Sequence, residues 1–205
     1  MEMSSKEPSL FYLWRLEEEA PQLLALCRES GICCSDLEAL PVKRQREKAA
    51  ERLLLCRAFG RAVTLSHTEQ GAPYVKDCDM NISISHTMRL VVLAVSPVHV
   101  IGVDAEQADR QQVLKVRDKF LNANEQRFIA PDDLDAHIIA WTAKEAIIKA
   151  ERNSALDWTE GICLEPFTLD PIETVFTARC GARCYQLTSR LLEGHFITLA
   201  APVVS

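Results

Sequence analysis

The chain has no long hydrophobic run, and nothing in it approaches the roughly 18 apolar residues that a membrane span requires. Its first residues, MEMSSKEPSL, lack a basic region followed by an apolar one, so no secretory leader is expected. Neither G-x-G-x-x-G nor a Walker A sequence occurs, which excludes the two common nucleotide cradles. Eight cysteines are present, but Cys33 and Cys34 are adjacent and Cys180 and Cys184 lie four apart, spacings that match no zinc pattern. With no leader, they are expected as free thiols in a reducing cytoplasm. The net charge of −6 makes a nucleic-acid partner a poor expectation. What remains is the composition of a folded soluble protein, 48% hydrophobic and 25% charged. Its 205 residues suffice for one substantial core or two small lobes.

The charge is unevenly spread. Between Lys43 and Arg61 stand seven basic residues against Glu47 and Glu51, a local +5, so the rest of the chain carries −11. Such a segment is either a localised anion site or a solvated helix whose cations pair with nearby acids. Around it, LFYLWRL (10–16) reads as a first strand and Glu17–Glu29 as a helix; a short turn capped by Ser35 or Asp36 follows. Ala49, Leu53, Cys56 and Gly60 recur at helical spacing, predicting a long amphipathic helix from Pro41, in its first turn, to Val63. AVTLSHT, the turn EQGAP and YVKD are short strand pieces, and NISISHT (81–87) alternates cleanly. MRLVVLAVS and VHVIGVDAE, separated by Ser96-Pro97, predict a hairpin. Residues 107–129 read as two helices broken near Leu121–Asn124, with Asn122 and Glu125 spaced as a cap and its box partner. Asp135 to about Arg152 is helical, and GICLEPFTL, TVFTAR, RCYQLTS and HFITLAAPV are strands. The expected class is α+β, two similar lobes (1–97 and 98–205) packed side by side.

Two segments carry chemistry. In VIGVDAEQ (100–107), a strand would turn Gly102, Asp104 and Glu106 to one face, setting two carboxylates side by side. In WTAKEAIIKAE (141–151), Trp141, Glu145 and Lys149 line one face of a helix. Alone, Glu145 and Lys149 are a surface i,i+4 pair worth about 0.3–0.5 kcal/mol. Combined, Asp104, Glu106 and Glu145 supply the hard oxygen donors that suit Mg²⁺, an ion that bridges carboxylates to substrate phosphates. A lysine and a basic helix nearby would hold the remaining phosphates, so the set asks for a polyphosphate substrate and displacement at phosphorus.

VIGVDAEQ followed about forty residues later by WTAKEAIIKA resembles the paired signature of 4′-phosphopantetheinyl transferases, G-[IV]-D-x-E and W-[ST]-x-K-E-[AS]-x-x-K. The single-chain, two-lobed branch also has an I-S-H-[ST] strand, matched by ISHT at 84–87, a basic helix, and a G-[KR]-P turn, matched by GAP at 71–73. Order and spacing agree over residues 41–150. The resemblance implies two lobes arranged as a pseudo-dimer. It also implies an enzyme of the holo-[acyl-carrier-protein] synthase type, which transfers the phosphopantetheine arm of coenzyme A to a serine of an apo carrier protein. Mg²⁺ would be the cofactor and adenosine 3′,5′-bisphosphate the by-product.

By position, the resemblance makes Asp104, Glu106 and Glu145 the metal ligands, with Glu145 also the base for the serine. Lys149 would reach a coenzyme A phosphate, as would Ser85 and His86; Lys43, Arg46 and Arg52 fall where the family contacts the 3′-phosphate. Lys144 precedes Glu145 on a different face. Ala72 departs from the family's basic residue, and ERNSALDW (151–158) lacks the glycines that usually follow the lysine. The expected protein is a cytoplasmic monomer with carrier and coenzyme A partners, and with neither nucleic acid nor membrane. Two rivals stand beside it: a non-catalytic relative that binds carrier or coenzyme A, and a Mg²⁺-dependent phosphohydrolase.

Overall fold

A computed structural model describes residues 10–203. The reading of MEMSSKEPSL as leaderless falls on residues 1–9, outside the described residues, apart from Leu10. The first half comprises β1 (Leu10–Arg15), α1 (Ala20–Glu29), a 3-10 turn at Ser35–Leu37, α2 (Val42–Phe59), β2 (Leu65–His67), β3 (Pro73–Val75), β4 (Asn81–His86) and β5 (Leu90–Ser96). The second comprises β6 (Gly102–Gln107), α3 (Gln112–Lys115), a 3-10 turn at Arg117–Lys119, α4 (Glu125–Phe128), α5 (Leu134–Glu151), β7 (Ile162–Leu164), β8 (Thr174–Cys180), β9 (Arg183–Leu192) and β10 (His195–Pro202). Helices and antiparallel sheets are largely segregated along the chain, so the class is α+β.

Three sheets result: β1-β5-β4, β6-β10-β9-β8-β7 and the hairpin β2-β3. The expected hairpin of residues 88–96 with 98–106 is overturned. β5 is buried along its whole length, with β1 on one edge and β4 on the other, so its hydrogen-bonding capacity is spent. β6 therefore leaves for the other sheet and pairs with β10. Residues 97–101 are the crossover, and the expected lobe boundary falls within them. The two larger sheets differ in strand number and order, each with a long helix against it: α2 on β5 and β1, α5 on β6 and β10.

Other boundaries move for local reasons. Pro41 stands just before α2 in extended backbone, not in its first turn, and Gly60 closes the helix with φ 67°, the left-handed cap that glycine accepts most readily. The expected helices of 107–129 shrink to single turns, because Phe120 and Leu121 drop into the core between them. The Asn122–Glu125 box forms: Glu125 N–H donates to Asn122 Oδ1 (2.9 Å) and Asn122 N–H to Glu125 Oε2 (2.8 Å). The helical block begins where Asp133 accepts from the Ala136 N–H.

β4 and β6 are the facing edges of the two large sheets, yet they do not share a backbone ladder. Serine side chains join them. The Val103 N–H donates to Ser83 Oγ (2.9 Å) and the Ala105 N–H to Ser85 Oγ (3.3 Å). Alternation in NISISHT turns both serines toward β6. Beneath the joint, Leu90, Val92 and Ala94 of β5 form one buried cluster with Val103, Ala105 and Ile197.

Candidate active site

The site forms where β6 runs beneath α5. At Gly102 an added Cβ would lie 1.8 Å from the Ala146 carbonyl oxygen, so the missing side chain lets strand and helix touch. That approach brings the Asp104–Glu106 face of β6 against the Glu145–Lys149 face of α5. Asp104 is buried, and its Oδ1 accepts from Lys149 Nζ (2.8 Å) and Ser85 Oγ (2.7 Å). Lys149 Nζ also donates to the Val103 carbonyl (2.9 Å). Asp104 Oδ2 is buried without a partner. Glu145 makes no ion pair among the described residues; burial, and then the Asp104 carboxylate, push its pKa above the usual carboxylate range, with Lys149 and Arg110 opposing.

Glu106 is held by Arg110, four residues on in the turn that follows β6, and the Arg110 guanidinium lies 5.2 Å from the centre of the Trp141 ring. The three expected metal ligands thus share one region, but two of them already face cations. Among the described residues no three His, Cys, Asp or Glu side chains converge as a ready metal cage.

Ser85 and His86 are separated by the pleat. Ser85 turns to Asp104, whereas His86 turns to α2, its Nε2 3.5 Å from Glu47 Oε2. Glu47, buried on the basic helix, also takes Arg44 (2.8 Å) and, more distantly, Lys43 (3.9 Å). Lys43 is 69% exposed and free to meet a ligand. Arg46 and Arg52 lie elsewhere, with donors committed to the fold. Arg46 bonds the carbonyls of Leu16 (2.7 Å) and Glu18 (2.9 Å). Arg52 grips Asp36 through two bonds (2.8 and 2.6 Å) and the Cys33 carbonyl.

Lys144, beside Glu145 in sequence, faces the core. Fully buried, it donates to Glu125 Oε2 (2.7 Å) and to the carbonyls of Trp158 (2.6 Å) and Ile162 (3.1 Å). Burial lowers its pKa, while Glu125 works in the opposite direction. The lysine–glutamate pair of the motif therefore splits: Lys144 fastens α5 to α4 and β7, and Glu145 faces the site.

Sequence reasoning missed Arg110 and Arg152. Arg110 was legible, four residues after Glu106. Arg152 was not. It lies with Ala72, Ser83 and Lys149 around a cleft of about 210 Å³ between the β2–β3 turn, β4 and the end of α5.

A model of the 4′-phosphopantetheinyl transferase superfamily matches residues 100–199, just under half of the chain. Residues 100–199 are a 4′-phosphopantetheinyl transferase superfamily domain. The matched span opens on the first residue of VIGVDAEQ and contains both strand and helix motifs; the basic helix, the GAP turn and ISHT precede it. Among curated proteins, none matches the chain. The match supports the general activity of that superfamily, phosphopantetheine transfer. No helix of the described residues is long and apolar enough to cross a membrane.

Proposed function

We propose that the chain moves the 4′-phosphopantetheine arm of coenzyme A onto a serine of an apo carrier protein, in a Mg²⁺-dependent reaction that releases adenosine 3′,5′-bisphosphate. In this reading it is a cytoplasmic, monomeric enzyme of the holo-[acyl-carrier-protein] synthase type, its two halves a pseudo-dimer flanking the substrate. The observation that carries the reading is the unpartnered, buried Asp104 Oδ2 beside the Glu145 carboxylate. Two hard oxygen donors with charge to spare are what a divalent cation asks for. Asp104 and Glu145 would hold Mg²⁺, and Glu106 would join them in exchange for its Arg110 contact. Bound Mg²⁺ supplies charge compensation for the pyrophosphate as its bond breaks.

The protein's own groups do the rest. Glu145, made more basic by burial, accepts the proton of the incoming serine hydroxyl, directly or through a water. Lys149, on the cleft wall, offers an ammonium to a substrate phosphate while keeping Asp104 oriented. Ser85 holds Asp104 from the other side, and His86 and Lys43 both lie against Glu47 of α2, forming a second polar face that carries the exposed Lys43 ammonium.

One observation favours the non-catalytic rival: Arg46, Arg52 and Ala72 together leave fewer free cations for coenzyme A than the basic helix promised. Intact-mass analysis of apo carrier proteins incubated with the protein, Mg²⁺ and coenzyme A separates the readings. A gain of one phosphopantetheine, lost with EDTA, supports transfer. Binding of coenzyme A with no gain on any carrier supports the non-catalytic reading, and free phosphopantetheine released without a carrier supports a hydrolase.

A further inference from the structure

The cleft beside Lys149 has one cation that is not paired with a carboxylate among the described residues. Two positive side chains line it, Lys149 and Arg152. The Lys149 ammonium is already shared between Asp104 and the Val103 carbonyl. Arg152 has no carboxylate partner among the described residues; its side-chain contact is a long one, 3.5 Å to the Asn81 amide oxygen. Its backbone is unusual as well. Arg152 caps α5 in the left-handed conformation (φ 54°, ψ 32°), with its N–H on the carbonyls of Ile148 and Lys149. Glycine or asparagine ordinarily takes that cap, and a long side chain gains nothing locally from being there. Ala72, which also lines the cleft, contributes no charge.

We propose that Arg152 is an anion-binding residue of this cleft, its guanidinium taking oxygens of the donor substrate's diphosphate from the end of α5. This rests on the coenzyme A reading above. The chain thereby moves a cation from the β2–β3 turn, where the resembled family carries one, to the end of α5. A guanidinium suits the task, because its planar fork bonds two phosphate oxygens at once. It also explains why the segment after Lys149 has no glycine: the left-handed cap is kept, and the side chain there is put to use.

Arg152→Gly removes the charge and relieves the left-handed backbone, so the variant folds at least as well, which its thermal midpoint checks. Coenzyme A and inorganic pyrophosphate are titrated separately into wild type and variant by calorimetry. The expected result is roughly tenfold weaker binding of both probes in the variant, with a shallower salt dependence. Adding Ala72→Lys in the same cleft to that variant should restore much of the loss. Unchanged affinity for both probes overturns the proposal. Pyrophosphate separates it from the functional reading: wild type that takes pyrophosphate through Arg152 but no coenzyme A upholds the anion site and ends the coenzyme A reading. A wild type that binds neither probe overturns both.

Discussion

Glu145 bears the largest consequence of any single side chain. Its folded pKa lies above its unfolded one, so between the two values the folded protein holds more proton and stability falls as pH rises. In metal-free buffer, Glu145→Gln should therefore unfold at or above the wild-type temperature at about pH 8, with the difference closing toward about pH 4. Carrier loading by the same variant should nearly vanish; near-normal turnover would remove Glu145 from the mechanism. Lys149→Ala acts in the other direction. It leaves Asp104 buried, with one oxygen already unpartnered and the other bonded by Ser85 alone, and should cost roughly 1–3 kcal/mol, read from denaturant midpoints. Its coenzyme A KM should also rise, and an unchanged KM would confine Lys149 to holding Asp104. These residues were legible because the motifs carry them. The ties that orient them, Ser85 to Asp104 and Lys144 to Glu125, cross 19 residues each and leave no local pattern.

At the scale of elements, the site depends on how closely β6 and α5 approach. Gly102→Ala would drive a methyl group into the Ala146 carbonyl, so strand or helix must shift, at a cost of roughly 3 kcal/mol or more. Thermal unfolding measures that cost, and a variant as stable as wild type would show that the two elements are not pressed together. Element types followed well from periodicity: alternation marked β4, and helical spacing marked α2 and α5. Pairing did not. The apolar runs before and after Ser96-Pro97 suit a hairpin equally well, and what prevents one is that β1 and β4 already occupy both edges of β5. The basic stretch of α2 suggested one ligand-binding face, but a helix points its side chains all round. Arg46 and Arg52 are consumed in packing, and only the Lys43–Arg44 side meets His86 by way of Glu47.

For the whole molecule, the joint between the sheets is the decisive feature. Val92 and Ala94 from one sheet and Val103 and Ile197 from the other share one buried cluster, and Ser83 and Ser85 bridge the strand edges above it. The halves should therefore unfold together. In urea, a Trp14→Phe variant, whose fluorescence reports Trp141 and Trp158 alone, should give the same midpoint as far-UV circular dichroism, which reports all the helices and sheets. Two separated transitions would make the halves independent domains. By itself the sequence determined the α+β class, the long helices and most strands, and the motif residues that the proposed chemistry draws on, since these depend on side-chain type and short-range spacing. Only the tertiary structure decided that Asp104 meets Lys149 and Ser85, that Lys144 is buried, and that Arg152 faces a cleft. Such contacts join distant segments, and they form only when strand edges and apolar faces have competed for partners across the whole chain.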